Sequence, residues 1–274
     1  HPHWPSMQHS GIGSGRLSVF RLLAGRPAFG SADRRRIGSL DYVDLDLDFM
    51  PYRNRFDAVL FDLDGTLIET APDLCSALNH TLGQAGREGV QLDQVRHMIG
   101  DGARTMLRLG LEATGEEPSD AEIEKWFHVL LDYYWDHVAD ESFVFPGALT
   151  ALETMAAAGL KLAVCTNKPV AMSNRLFEKL AIDHHFGAVL GGDSLAVRKP
   201  DAGHILGTLE AIGVPAERAV MIGDSANDLN AARNAGIPVV LVTFGYTTVP
   251  VQELAADALI DHFDQLLPAL SSLA

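Results

Sequence analysis

The chain has 274 residues, 47% of them hydrophobic and 21% charged, with a mean hydropathy of +0.08. This balance fits one sizeable globular domain or two moderate ones and excludes a fibrous or wholly disordered chain. The net charge of −15 and pI near 5.0 argue against a nucleic-acid partner, because a phosphate backbone is held by clustered Lys and Arg and no such cluster is visible. Cys75 and Cys165 stand far apart and suggest neither a disulfide framework nor a zinc site, so reduced thiols in a cytoplasmic protein are expected. No apolar run approaches the ~20 residues that span a bilayer, so no membrane partner is expected.

Residues 1–49 read differently from the rest. They hold six arginines (Arg16, Arg21, Arg26, Arg34, Arg35 and Arg36) against five aspartates, with many Gly and Ser and no sustained periodicity. They are expected to be disordered or a non-native extension, with Met50 as the start just ahead of Pro51 and the first strand. This segment carries +1, so the remainder carries −16 and the acidity belongs to the folded part.

The rest of the chain is organised around the stretch from Phe56 to Leu67. An unbroken apolar run of strand length ends in Asp62-Leu63-Asp64-Gly65-Thr66, which reads as a buried parallel strand delivering carboxylates at its C-terminal end, where open α/β sheets bind ligands. Side chains alternate along a strand, so Asp62 and Asp64 face the same way if the strand stays regular. Two carboxylates ~4 Å apart repel by ~4 kcal/mol at an effective dielectric near 20, so a cation or a shared proton must relieve them. Oxygen ligands with no His or Cys alongside point to Mg²⁺.

From Thr70 to about Phe145 the pattern is helical. Pro72-Asp73 opens a helix ending near Gly86, a second stripe runs through Val95, Met98 and Ile99, a third from Ala103 to Gly115, and a fourth from the Ser119-Asp120 cap to Trp135. Four amphipathic helices without a strand predict an all-α insert over 71–145. After Phe145 strand and helix alternate. Strands are expected at 161–165, 188–190, 219–222 and 239–242, with helices at 148–158, 170–180, 202–212 and 229–235. Strict alternation with short apolar strands predicts an α/β fold, a doubly wound parallel sheet built from 50–70 and 146–274.

The strands end in chemistry: Asp62-x-Asp64, then Thr166-Asn167, then Gly223-Asp224 with Asp228 four residues on, while Lys199 precedes the helix leading to that last strand. This ordered set resembles the haloacid dehalogenase-like hydrolase superfamily, over roughly Arg55 to Leu267. Within it, Ile99-Gly100-Asp101-Gly102-Ala103-Arg104, Thr166-Asn167-Lys168, Gly191-Gly192-Asp193-Ser194 and Val242-Thr243-Phe244-Gly245-Tyr246 look like bacterial phosphoglycolate phosphatases. One departure is Ala202-Gly203, where that subgroup usually has a further proline. Phosphatases of pyrophosphate, sugar phosphates and N-acetylmuramic acid 6-phosphate share the same look.

The resemblance implies a Mg²⁺-dependent phosphatase of a small phosphorylated metabolite, foremost 2-phosphoglycolate, working as a monomer or homodimer. Asp62 would be the nucleophile, forming an aspartyl-phosphate, and Asp64 the acid and then the base, a role that needs a raised pKa in Asp64 while Asp62 stays ionised. Mg²⁺ would sit on the Asp62 carboxylate, the Asp64 backbone carbonyl and Asp224, with Asp228 orienting waters or Lys199. Gly65, Thr66, Thr166, Asn167 and Lys199 would hold and balance the phosphoryl group. The helical insert would be a cap, from which Arg104 would pair the substrate's carboxylate. A phosphomutase on the same fold is the rival, distinguished by transfer to a sugar hydroxyl instead of to water.

Overall fold

The computed structural model describes residues 51–273, and the expectations for residues 1–49 and Met50 lie outside the described residues. After a single-turn helix α1 (Tyr52–Arg55) the chain enters β1 (Ala58–Phe61) and the short β2 (Ile68–Glu69). Four helices come next: α2 (Ala71–Gln84), α3 (Leu92–Arg96), α4 (Ala103–Ala113) and α5 (Asp120–Asp136). The chain returns through β3 (Phe143–Val144) and then alternates α6 (Ala148–Ala157), β4 (Lys161–Cys165), α7 (Val170–Leu180), β5 (Ala188–Leu190), α8 (Ala202–Ile212), β6 (Ala219–Gly223), α9 (Ala226–Ala235) and β7 (Val239–Val242). It ends with β8 (Ala258–Ile260) and α10 (Leu266–Ser272). Among the described residues no helix is long and apolar enough to cross a membrane.

Six of the strands form one parallel sheet in the order β5-β4-β1-β6-β7-β8. Both faces of the sheet are buried, which is why its strands read as continuous apolar runs and not as alternation. Val59, Phe61, Leu162, Val164, Val220 and Ile222 pack on one face with Leu152, Leu176, Phe177 and Leu266 of the helices. Ala58, Leu60, Ala163, Met221 and Leu241 pack on the other with Ile205, Leu209, Ala231 and Ala232 of α8 and α9.

The chain winds outward from β1 through β4 and β5, then crosses back to β6 on the opposite flank. The strand order therefore reverses about β1. A crevice forms at such a switch point, outside the C-terminal strand ends.

The structure departs from the expected elements in three places. β8 and α10 are additional: β8 is a three-residue edge strand, too short to show a period. The chain leaves and re-enters the sheet region through an antiparallel ribbon, Ile68 opposite Val144 and Glu69 opposite Phe143, each strand two residues long. Helix α9 starts at Ala226, three residues before the expected Leu229, because Ser225 and Asp228 close a capping box there.

The insert is held shut at its own base by Asp73. Its buried carboxylate accepts from Glu141 N at 3.0 Å, Ser142 N at 2.8 Å and Ser142 Oγ at 2.6 Å, tying the first turn of α2 to the segment after α5. Replacing it with alanine strands those donors, and Asp73→Ala is expected to lower the free energy of unfolding in urea by about 3 kcal/mol. Asp73→Asn, which keeps one acceptor oxygen, should cost clearly less.

Candidate active site

β1 is flanked by β4 and β6, so the loops after these three strands meet at one edge. Phe61 is level with Val164 on one side and Ile222 on the other, and Asp62 N donates to Ile222 O at 2.9 Å. Asp62 therefore emerges between Thr166-Asn167 and Gly223-Asp224. Gly65 turns the chain away with φ +80°, and a Cβ there would stand 2.5 Å from Asp224 Oδ2 and 2.9 Å from the Tyr246 ring. Only glycine fits both that turn and that approach.

Beneath this edge lies a buried charge cluster. Lys199 Nζ sits 2.6 Å from Asp228 Oδ1 and 2.8 Å from Asp62 Oδ1. The approach to Asp62 is close but off the hydrogen-bonding direction, so Asp62 Oδ1 keeps no hydrogen-bond donor. Asp228 is fully engaged, its Oδ2 accepting from Asp224 N at 3.1 Å, Ser225 N at 3.1 Å and Ser225 Oγ at 2.8 Å. Asp224 accepts from Tyr246 N and, at 3.5 Å, from the Thr66 hydroxyl.

Carboxylate oxygens of Asp62, Asp224 and Asp228 lie within 4.8 Å of one another. Three carboxylates thus face one ammonium. Burial pushes the Asp62 carboxyl up to about 6 against the pull of Lys199. Burial, then the charges of Asp228 and Asp62, holds Asp224 well above the usual carboxylate range. A buried all-oxygen cluster short by two positive charges, with an orphaned oxygen on Asp62, fits a hard divalent cation.

Asp64 has separate partners. Lys168 Nζ donates to its Oδ1 at 2.9 Å and the Thr70 hydroxyl donates to the same oxygen at 2.7 Å. Asp62, expected to stay ionised, is the carboxyl that burial raises. The sequence gives Lys168 no role beyond its place in Thr166-Asn167-Lys168 and gives Thr70 none. Lys168 adjoins Thr166-Asn167, but its burial depends on Tyr134 of α5, whose hydroxyl lies 2.8 Å from Nζ.

Asp62, Asp64, Thr166, Asn167 and Lys168 line a cavity that α4 and α5 cover from the other side through Met106, Leu131 and Tyr134. Asn167 Nδ2 donates to Gly100 O at 3.2 Å and Lys199 O at 3.1 Å, and its Oδ1 is buried without a partner. Thr166 Oγ1 accepts from Lys168 N at 3.2 Å. Arg104 is not brought to the cavity. It pairs with Glu124 at 2.5 Å and lies 4.2 Å over the Phe127 ring, because position 104 in α4 faces α5 along the outside of the insert and a cation there is drawn to the acidic first turns of that helix.

Gly223 sets the spacing beneath the cluster: a Cβ there would come 2.3 Å from Asp228 Cγ and 2.4 Å from its Cβ. Gly223→Ala is expected to destabilise the protein by about 1–3 kcal/mol by overpacking. It should also weaken divalent-cation binding measured calorimetrically, since Asp228 cannot move without carrying Lys199 and the Asp224 amide with it.

Residues 59–242 match the family model described as haloacid dehalogenase-like hydrolase. The chain is 46% identical over 211 residues to a phosphoglycolate phosphatase of Agrobacterium fabrum, covering 77% of this chain and 91% of that protein. It is 47% identical over 206 residues to one of Caulobacter vibrioides, covering 75% and 86%. Among solved structures, one described as a predicted phosphoglycolate phosphatase from Haemophilus somnus 129PT superposes with a TM-score of 0.74 at 30% identity, covering 78% of this chain and 97% of that one. CbbY from Rhodobacter sphaeroides in complex with phosphate superposes with a TM-score of 0.67 at 27% identity, covering 78% and 99%. On the match to the family model and on these identities, the chain belongs to the haloacid dehalogenase-like hydrolase family.

Proposed function

We propose that this chain is a phosphoglycolate phosphatase, hydrolysing 2-phosphoglycolate to glycolate and phosphate in the cytoplasm. The observation that carries the phosphatase reading is the cluster of Asp62, Asp224, Asp228 and Lys199 beneath a small cavity with Asp64 at its side. Relatives of that name spanning most of the chain supply the leaving group.

Asp62 attacks phosphorus through a carboxylate oxygen, forming an aspartyl-phosphate while the ester bond breaks. Asp64 gives the departing alkoxide a proton and takes one back from the water that hydrolyses the acyl phosphate, so the enzyme returns to its starting state. Lys199 stands against Asp62 and balances charge at the transferred group, and Thr166 and Asn167 hold its peripheral oxygens. Asp62, the Asp64 carbonyl and Asp224 would hold Mg²⁺, which draws charge from the phosphoryl oxygens. Asp228 positions Lys199 and the Asp224 backbone, a role its hydrogen bonds to both support.

Residues 71–145 act as a cap over the core of 50–70 and 146–274. The cap excludes water from the cavity while Asp62 reacts.

Phosphate release from phosphoglycolate, sugar phosphates, N-acetylmuramic acid 6-phosphate and pyrophosphate tests the reading directly. Turnover should favour phosphoglycolate, need Mg²⁺, stop with EDTA, and fall by at least about a thousandfold in Asp62→Asn. Preference for another ester would displace the leaving group, and release that needs a sugar acceptor would make the protein a phosphomutase.

The pH dependence has a defined sign. A carboxyl at about 6 in the folded protein binds a proton that the unfolded chain has already lost, so Asp62 makes the metal-free protein less stable as pH rises from about 4 through 6. Mg²⁺ binds the ionised form. Its addition is expected to raise Tm by several degrees more at pH 7.5 than at pH 5, as read by differential scanning calorimetry.

A further inference from the structure

We propose that Lys168, braced by Tyr134, is the residue that selects phosphate esters whose leaving group carries a carboxylate. The inference rests on the phosphatase reading above and names the contact that would decide its substrate class.

Among the described residues lining the cavity, Lys168 is the only cation; the other charged residues there are Asp62 and Asp64. Its side chain is 4% exposed, so the charge is withdrawn from water and must be matched inside the protein. An ammonium has three N–H donors. One goes to Asp64 Oδ1 at 2.9 Å and one to the Tyr134 hydroxyl at 2.8 Å, while the Tyr134 ring lies 4.5 Å beneath the charge. The third donor has no partner among the described residues.

Placement matters as much as charge. In phosphoglycolate one methylene separates the ester oxygen from the carboxylate. Asp64 is the group assigned to that ester oxygen, and Lys168 Nζ is in contact with it, so a carboxylate one carbon further on lies within reach of the remaining N–H.

The rest of the far wall offers no other counter-charge: Leu74, Ile99, Met106 and Leu131 are apolar. Gly102 and Ala103, which open the eleven-residue helix α4, also line the cavity, and their end of the helix carries partial positive charge. Arg104 is engaged with Glu124 and Phe127. Tyr134 lies in α5 of the cap, so the selecting ammonium is held from both the core and the cap, and an ester lacking the carboxylate leaves its third donor unmatched.

The test compares phosphoglycolate with ethyl phosphate, which replaces the carboxylate by a methyl group. Lys168→Met removes the ammonium and also frees Asp64, so both substrates lose turnover; the informative quantity is the ratio of their kcat/KM values. That ratio is expected to fall about a hundredfold relative to wild type. Tyr134→Phe, which leaves the ammonium in place but unbraced, should lower it several-fold and decides the matter if Lys168→Met does not fold.

Calorimetric binding of the two esters to the same variants in an Asp62→Asn background gives the ratio without turnover. An unchanged ratio, with both substrates losing equally, would overturn the inference and leave Lys168 as a positioning residue for Asp64. If the wild-type protein itself hydrolyses phosphate esters without favouring phosphoglycolate, the leaving-group assignment falls, and this inference with it.

Discussion

The buried ammonium of Lys199 between Asp62 and Asp228 is the contact on which the rest of the site depends. Each carboxylate of the cluster would repel its neighbours by ~4 kcal/mol at ~4 Å and an effective dielectric near 20. One lysine offsets only part of that. A protein selected for stability alone would fill this edge with apolar side chains, as it does one layer below with Phe61, Val164 and Ile222. The excess negative charge is instead kept buried, in an all-oxygen cluster that fits a divalent cation. Burial, which costs stability, is also what keeps water from competing for the reacting atoms.

The helical insert is bound to that edge by polar contacts as well as by buried apolar residues that belong to one cluster with a face of the sheet, among them Leu74, Leu78 and Met106. Asn167 donates to the Gly100 carbonyl, Asn227 to Asp101 at 2.8 Å, and Arg175 Nε to the Trp135 carbonyl at 2.6 Å while stacking 4.5 Å over its ring. Lys168 adds a charged contact to Tyr134. The polar contacts among these can be broken and remade at modest cost because water replaces them. Tyr246 adds a further tie, its hydroxyl accepting from Thr70 N at 2.8 Å and Ala71 N at 3.0 Å at the start of α2.

Much of this is legible in the amino-acid sequence. The central strands β1, β4, β6 and β7 announce themselves because a strand buried on both faces must be apolar throughout, and Asp62, Asp64, Thr166 and Asp224 stand where those runs stop. The Ser119-Asp120 cap places the start of α5, where the structure adds a capping box between Ser119 and Glu122. The two-residue ribbon and β8 are not legible, because their pairing depends on distant partners and not on a local period.

Lys168 and Arg104 show the same limit at the site. Each is a cation beside a turn, and local sequence gives no reason to rank one above the other. Only the path of α5 decides that Lys168 is enclosed by Tyr134 and that Arg104 meets Glu124 on the outside. The central claim is that Asp62 becomes covalently phosphorylated. Rapid acid quenching of the Mg²⁺-loaded enzyme during turnover of phosphoglycolate, with peptide mass mapping of the quenched protein, tests it most directly. The account predicts a phosphoryl group on the peptide containing Asp62, absent in Asp62→Asn; turnover with no phosphorylated peptide, or with the group on another residue, would contradict it.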